Sequence, residues 1–278
     1  MADSVIAGAV RKMRTKLATP VQYTMLLGDE ELLMNEHLGR RLLLQYRGVI
    51  NCVNCNRKTS KSFNQGYCYP CFTTLAQCDS CIVSPEKCHY AAGTCREPQW
   101  GEEHCMIEHF VYLANTSGLK VGITRGTQVP TRWMDQGATQ ARAVFRVSSR
   151  LVSGLVESVF KGHIPDKTHW QAMLKGDAKP CDLEEARLNL MNACATELDA
   201  LARQHGIGAI TELPESPEVA IQYPVLEFPA KVSAFNLDKT PVVEGTLLGI
   251  KGQYLMFDTG VINMRKYGGY QLSLQVAG

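Results

Sequence analysis

The sequence lacks the long apolar runs of a helical membrane protein, because no stretch approaches the ~18 residues that a membrane-spanning helix needs. Its beginning also lacks a basic start followed by an apolar stretch and a small-residue cleavage site, which together mark a secretory signal. We therefore expect a cytoplasmic protein with no membrane partner, whose reduced thiols hold metal more often than they pair. No tandem repeat and no low-complexity segment is recognisable.

An excess of charge of one sign is also absent overall, since the net charge is only +2, but the distribution is uneven. Residues 110–170 carry eight Lys/Arg and three acidic residues, whereas residues 171–278 carry nine Lys/Arg and thirteen acidic residues. A basic middle region suits contact with a phosphate backbone, although a solvated surface has the same composition. Nucleic acid is therefore one candidate partner, and a protein is the other.

The composition divides the chain into four regions, which together predict an α+β protein. Residues 1–50 are predicted to be a β-rich region, residues 51–105 a zinc-binding module, residues 106–206 an α/β domain with a late helix, and residues 207–278 a β-rich unit. The short, closely spaced strands predict a small barrel or a curled antiparallel sheet. We expect the first and last regions to pair into one barrel.

One long helix is predicted late in the third region. Asp182, with Glu185 three residues later, forms a capping box, and Gly206 can end the helix. The apolar residues between them recur at helical spacing, so the helix is expected to pack against a core.

Nine of the eleven cysteines lie within residues 51–105, where the apolar pattern is weak. Cys52 and Cys55 form one C-x-x-C pair, and Cys68 and Cys71 form a second pair. Each pair presents two thiolates to one ion, and two pairs complete the tetrahedral shell of zinc, as in a zinc ribbon. A shell closed in this way leaves no position for a substrate, so we expect a structural ion.

A second structural zinc ion is predicted in the following segment. Cys78 and Cys81 form another C-x-x-C pair and are its first expected ligands. A segment with so few apolar side chains is expected to fold only with its metal, and clustered thiols fit metal shells better than redox sites. The remaining ligands are expected among Cys88, Cys95 and Cys105, with His89 and His104 as alternatives.

Aromatic and basic residues are interleaved in the same region. Tyr67 and Trp100 are two of five such aromatic residues, which accompany Arg57, Lys58 and Lys61. This composition suits base stacking with phosphate contact, or alternatively packing around zinc.

The middle region begins with two apolar strands joined by a polar turn within residues 109–124, which predicts a β-hairpin. Tyr112 lies in the first strand and Lys120 in the second. Arg132 follows in a segment that can start a helix, and Glu157 lies at the edge of a later amphipathic helix.

This order of residues resembles the lysine branch of the GIY-YIG endonuclease superfamily over about residues 109–162. Tyr112 stands in the first motif and Lys120 begins the second. The resemblance implies that Tyr112 and its surroundings prepare a water, Arg132 binds phosphate and Glu157 holds Mg²⁺. The second-motif tyrosine is Lys120, and the asparagine that often follows the glutamate has no counterpart, so a binding-only domain is the alternative.

The phrases QGYCYPCF, GTCREPQWGEEHC, KVGITR and PTRWMDQGA resemble an uncharacterised bacterial family of unknown function over nearly the whole chain. That resemblance implies that the zinc module and the middle domain act as one unit. We therefore expect a zinc-containing nucleic-acid-binding protein with Mg²⁺-dependent phosphodiester cleavage of GIY-YIG type. The alternative is a non-catalytic zinc-stabilised module that binds nucleic acid or protein, and DNA is not distinguished from RNA.

Overall fold

The computed structural model describes residues 4–277, and within them the protein is α+β with two antiparallel sheets, as the sequence predicts. No helix in this range has both the length and the apolar character to cross a membrane. The strands are β1 (Ser4–Lys16), β2 (Gln22–Leu27), β3 (Glu30–Leu33), β4 (Arg41–Asn51), β5 (Lys58–Thr59), β6 (His109–Asn115), β7 (Leu119–Arg125), β8 (Gln140–Val147), β9 (Ile210–Glu212), β10 (Val219–Ala220), β11 (Val242–Lys251), β12 (Tyr254–Phe257), β13 (Gly260–Asn263) and β14 (Tyr270–Val276). The helices are α1 (Tyr69–Thr74), α2 (Pro98–His104), α3 (Thr131–Asp135), α4 (Arg150–Lys161), α5 (Trp170–Lys175), α6 (Leu183–Ala193) and α7 (Ala195–His205).

The first sheet joins the two ends of the chain. Its strands lie in the order β13-β12-β11-β4-β14-β1-β2-β3, and β5 pairs with β4. The first and last regions therefore pair, but the expected barrel is wrong, because the hairpins β2–β3 and β12–β13 lie at opposite edges and the described residues form no closed barrel. Every second residue of β14 is buried, so its alternating sequence turns one face toward the core.

An internal two-fold repeat organises this sheet, and its two copies share the pattern M-x4-G-x2-L-x-L-Q, which begins at Met34 and at Met264. Each copy has three strands, a 3-10 turn that begins at Met34 or Met264, and a fourth strand that pairs with the other copy. The two fourth strands, β4 and β14, lie side by side with Leu44 opposite Leu274. Outside this pattern the equivalent strands differ, as EELL in β3 and GVIN in β13 illustrate, and the copies are separated by the whole middle of the chain.

The second sheet contains the predicted hairpin. Its strands lie in the order β10-β8-β6-β7, and β9 pairs with β8. Helix α4 packs on β6 and β7, α6 packs on β6 and β8, and α7 packs on α4. Val156 and Phe160 of α4 are fully buried, so the apolar face of this helix fixes its position over the hairpin.

The predicted late helix is in fact two helices, α6 and α7, which meet at the buried Cys194. Cys194 has φ −108° and ψ 9°, which lies outside the helical region and ends α6 there. Asp182 caps α6 as predicted, because its carboxylate accepts from the backbone N–H groups of Glu184 and Glu185, both at 2.9 Å. Gly206, at φ +93°, follows the end of α7.

Candidate metal centres and a basic cleft

The first four cysteines of the chain lie together and can hold one metal ion. The Sγ atoms of Cys52, Cys55, Cys68 and Cys71 lie within 4.8 Å of one another, and those of Cys55 and Cys68 are 3.7 Å apart. Four thiolates around a tetrahedral zinc ion with bonds of ~2.3 Å stand roughly 3.8 Å apart, so this cluster is compatible with a structural zinc ion. The chain reverses after Cys55 through Asn56, which has φ +56° and donates its N–H to the Cys52 carbonyl.

A second group of cysteines surrounds a small cavity of ≈ 20 Å³. This volume is about the room that one water-sized sphere needs. Tyr90 and Cys95 both pack closely against Gly101 at this cavity. A Cβ atom added to Gly101 would lie 3.2 Å from the Tyr90 ring and 3.4 Å from Cys95 Sγ. The thiols that line the cavity are those of Cys81, Cys88, Cys95 and Cys105.

Asp79, Cys81 and His89 form a further group whose ligand atoms lie within 4.8 Å of one another. The Asp79 carboxylate accepts from the Ser80 N–H at 2.6 Å and pairs with Arg96 Nε at 2.9 Å. His89 Nε2 lies 3.4 Å from the same carboxylate. Protein groups therefore already engage Asp79 and His89 at the edge of the cavity.

Cys78 and His104 lie apart from this cavity, since neither is among the described residues that line it. The Cys78 thiol is buried, and burial raises its pKa. The His104 ring stacks on Trp100 with centroids 4.3 Å apart and an interplanar angle of 5°. Both rings line the larger cleft described next.

The four predicted catalytic residues come from four elements, and three of the four line one cleft. Tyr112 lies on β6, Lys120 on β7, Arg132 on α3 and Glu157 on α4. Lys120, Arg132 and Glu157 line a cleft of ≈ 670 Å³. Tyr112 is fully buried, and its hydroxyl donates to Oε1 of Gln136, which also lines the cleft, at 2.7 Å.

Cross-strand pairing explains why a tyrosine and a glycine occur together at this site. Tyr112 and Gly122 are directly opposite each other in the β6–β7 hairpin. A Cβ at Gly122 would lie 2.5 Å from the Tyr112 hydroxyl oxygen and 2.6 Å from Cζ. The tyrosine side chain therefore crosses β7 at a position that only glycine leaves open.

Replacing Gly122 with alanine is expected to destabilise the protein by about 1–3 kcal/mol, because the new methyl group overlaps the Tyr112 side chain. Urea unfolding followed by circular dichroism measures this change. Gly162→Ala is a matched control, because Gly162 has a helical φ of −65° and its Cβ would meet only an ordinary contact at 3.4 Å. Equal stability of the two variants would contradict the close Tyr112–Gly122 packing.

Burial sets the ionisation of the cleft residues. Lys120 is 4% exposed, and burial together with the nearby charge of Arg132 lowers its pKa to about 8. Burial raises the pKa of Tyr112 to about 12 and also raises the pKa of Glu157, which is 9% exposed. Lys120 is therefore the buried cleft group that can exchange a proton slightly above neutral pH.

Helix α4 connects the cleft to the cysteine-rich segment. A Cβ at Gly154 would lie 2.6 Å from Pro85 Cβ, so helix and segment are in direct contact. The Arg150 backbone N–H donates to the Cys105 carbonyl at 2.8 Å, and the Arg150 guanidinium donates to the Ile82 carbonyl. The cysteine-rich segment therefore forms one wall of the cleft and rests on the helix that carries Glu157.

Several residues that line the cleft could not be identified from the sequence. Lys12 lies on β1 and Arg265 on the 3-10 turn before β14, and both reach the cleft only because the two ends of the chain fold beside it. Lys161 Nζ lies 3.3 Å from Glu157 and 3.2 Å from Asp166. The i, i+4 spacing of Glu157 and Lys161 is a local signal for that ion pair, whereas Asp166 follows the helix and gives none.

Comparison with known proteins gives one match. The family model described as "Protein of unknown function (DUF2797)" matches residues 39–272. No curated protein and no solved structure matches the chain significantly. Since the family model spans well over half of the 278 residues, the chain belongs to this DUF2797 family of proteins of unknown function.

Proposed function

We propose that this protein binds nucleic acid in the cleft and hydrolyses a phosphodiester bond there with Mg²⁺. The observation that carries the proposal is the meeting of Lys120, Arg132 and Glu157 in one cleft, beside the packed Tyr112–Gly122 pair. These residues also carry the resemblance to GIY-YIG endonucleases. The cleft is lined by seven Lys/Arg and three acidic residues, a balance that attracts a phosphate backbone.

The proposed chemistry needs a base for water and a positive group for the phosphate. Lys120, with a pKa of about 8, takes a proton from a water molecule, whose oxygen forms the new bond to phosphorus. Arg132 stabilises the negative charge that develops on the phosphate oxygens. The bond from phosphorus to the leaving oxygen then breaks, and that oxygen takes up a proton.

Glu157 is the residue that would hold Mg²⁺, which when bound acts as a Lewis acid on the phosphoryl group. The donor set fits, because a hard cation prefers carboxylate and phosphate oxygens. Lys161 supports this fit, since its ammonium group already lies as a cation beside Glu157 and Asp166. The same ion pair favours the second candidate, a non-catalytic nucleic-acid-binding module, because Lys161 competes with Mg²⁺ for the carboxylate.

Tyr112 is assigned a positioning role in this proposal. A hydroxyl with a pKa of about 12 remains protonated at neutral pH and is a poor base. It donates instead to Gln136, whose side chain borders the cleft. The buried tyrosine thereby orients the residue that follows α3.

Two structural zinc ions complete the proposal. Cys52, Cys55, Cys68 and Cys71 hold the first. For the second, the cavity lining supports Cys81, Cys88, Cys95 and Cys105 over a set that includes Cys78. Four thiolates close the shell of each ion, so neither ion offers a position for a substrate.

Labelled DNA and RNA, single-stranded and duplex, incubated with the protein in Mg²⁺ or in Mg²⁺-free buffer without a chelator, test this function. We expect cleavage in Mg²⁺ alone and, for Glu157→Gln, a Mg²⁺ requirement raised roughly tenfold, because the ligand loses its charge. Glu197→Gln is the matched control, since Glu197 is exposed on α7. Equal inactivity of wild type and Glu157→Gln on every substrate, or equal activity, would overturn the catalytic proposal.

A further inference from the structure

The depth of the cleft restricts which nucleic acids fit. A phosphate that meets Lys120 and Glu157 must reach side chains that are only 4% and 9% exposed. The cleft volume of ≈ 670 Å³ is that of a pocket for a small ligand, typically ~300–1,000 Å³. A nucleotide that enters a space of this size must separate from its base-pairing partner and from the bases stacked on it. The strands of a duplex would therefore first have to separate at that position.

The aromatic pair in the cleft wall suits an unpaired base. Trp100 and His104 lie one turn apart on α2, their rings are nearly parallel, and both line the cleft. Flat rings of this kind bind single-stranded bases by stacking, which is tolerant of sequence because every base has a flat π-face. The His104 ring is held in place, since its Nδ1 lies 3.0 Å from the Trp100 carbonyl oxygen.

Positive charge shares the cleft lining with the aromatic pair and the predicted catalytic residues. Arg125 and Arg150 belong to the same lining as Trp100, and Arg265 enters from the opposite sheet. The three acidic residues in the lining are all paired with a lysine of the cleft: Asp135 with Lys12, and Glu157 and Asp166 with Lys161. The arginines are thus the groups that a chain of phosphates would meet.

We propose that the cleft selects unpaired nucleic acid, with one base stacked on the Trp100–His104 pair and the adjoining phosphates along the arginines toward Lys120. This proposal rests on the nucleic-acid binding proposed above and names the class of substrate. It concerns binding, so it holds or fails independently of cleavage.

Fluorescence anisotropy in Mg²⁺-free buffer without a chelator, where Mg²⁺-dependent cleavage is silent and the proposed zinc ions stay bound, tests the proposal with a labelled oligothymidylate and with the same strand paired to oligoadenylate. We expect at least about tenfold tighter binding of the single strand, from the stacking of one base. Trp100→Ala should weaken single-strand binding roughly fivefold to a hundredfold, and Trp100→Phe should restore most of it. An abasic strand, which offers phosphates but no base, should bind wild type and Trp100→Ala equally.

Equal or tighter binding of the duplex would overturn the proposal, as would unchanged single-strand binding by Trp100→Ala. Because Trp100 also lines the second cysteine cavity, His104→Ala provides an independent variant outside that lining, and it should weaken single-strand binding in the same direction. Single-strand selectivity without cleavage in Mg²⁺ would reject the nuclease and keep this inference. Duplex cleavage without single-strand selectivity would support the nuclease and reject this inference.

Discussion

Replacing Cys68 with serine is expected to remove one of the two proposed zinc ions and to unfold the chain around the first cysteine cluster. The Cys68 Sγ atom lies 3.7 Å from that of Cys55, within the group of four thiols that can share an ion. Serine offers a neutral hydroxyl in place of the thiolate sulfur that zinc prefers, so the ion would lose one of its four ligands.

The effect should be large because little else stabilises this part of the chain. Among the described residues, the apolar cluster at this site consists of three cysteines with Tyr67 and Leu75 packed against them. A structural zinc ion contributes ~10–16 kcal/mol of apparent binding free energy in small zinc-dependent folds. No apolar contact present here could replace a contribution of that size.

Elemental analysis and limited proteolysis measure the outcome. We expect two zinc ions per chain in the wild type and one in Cys68→Ser, with new cleavage sites between residues 52 and 75. Cys105→Ser should also retain one ion, because Cys105 lines the second cavity. Cys181→Ser is the matched control, since Cys181 lies outside both clusters and should leave two ions bound.

Cys78→Ser separates two assignments of the second ion. The residues around the small cavity predict that this variant keeps two zinc ions, whereas the C-x-x-C spacing of Cys78 and Cys81 predicts that it keeps one. Loss of an ion from Cys78→Ser would therefore reject the set formed by Cys81, Cys88, Cys95 and Cys105. Two ions in Cys68→Ser would reject the first cluster itself.

Zinc loss should also weaken the cleft, although no cysteine of the first cluster lines it. The cysteine-rich segment contacts α4 at Gly154 and receives hydrogen bonds from Arg150. It contributes Trp100 and His104 to the cleft wall. The cysteine-rich segment and the proposed nucleic-acid site are thus in direct contact, and nucleic-acid affinity should fall in Cys68→Ser together with zinc content.

Local signals explain which parts of the fold and site could be predicted from the sequence. The hairpin places Tyr112 opposite Gly122, and the amphipathic pattern of α4 places Glu157 at its edge, so short-range periodicity suffices for both. The first cysteine cluster is equally local, because two C-x-x-C turns separated by a short loop determine its geometry.

Long-range pairing explains what the sequence could not give. The strand β1 lies in the predicted β-rich region, but its partner β14 lies at the other end of the chain, and no local pattern sets the register between them. Lys12 and Arg265 enter the cleft only through that pairing, so no local pattern marks them. The second cysteine group lies in irregular turns, where spacing alone could not separate Cys78 from the thiols that line the cavity.

Cleavage by the wild-type protein is expected to rise about tenfold per pH unit below pH 8 and to level off above it. The proposed base is neutral Lys120, and burial lowers its pKa to about 8, so the active fraction grows as pH approaches that value. Arg132 lowers this pKa further, whereas Glu157 and Asp166 raise it. Tyr112, with a pKa of about 12, should not contribute to the profile below pH 10.

Substitutions at Lys120 distinguish a base from a simple positive charge. Lys120→Met should lower the rate by about 10²–10⁴-fold, the usual contribution of a general base, and should remove the rise toward pH 8. Lys120→Arg keeps the charge but remains protonated, so it should be as inactive as Lys120→Met if proton transfer is the function of this residue. A Lys120→Arg enzyme with the wild-type rate would assign Lys120 to phosphate binding instead.

Two further variants locate the origin of the pH dependence. Tyr112→Phe removes the hydroxyl that donates to Gln136 but should leave the midpoint near pH 8, because the tyrosine stays protonated in this range. Asp166→Asn removes a negative charge that favours protonated Lys120, so the midpoint should move to lower pH. If the midpoint of the pH–rate profile shifts in Tyr112→Phe but not in Asp166→Asn, the base would be Tyr112 and not Lys120.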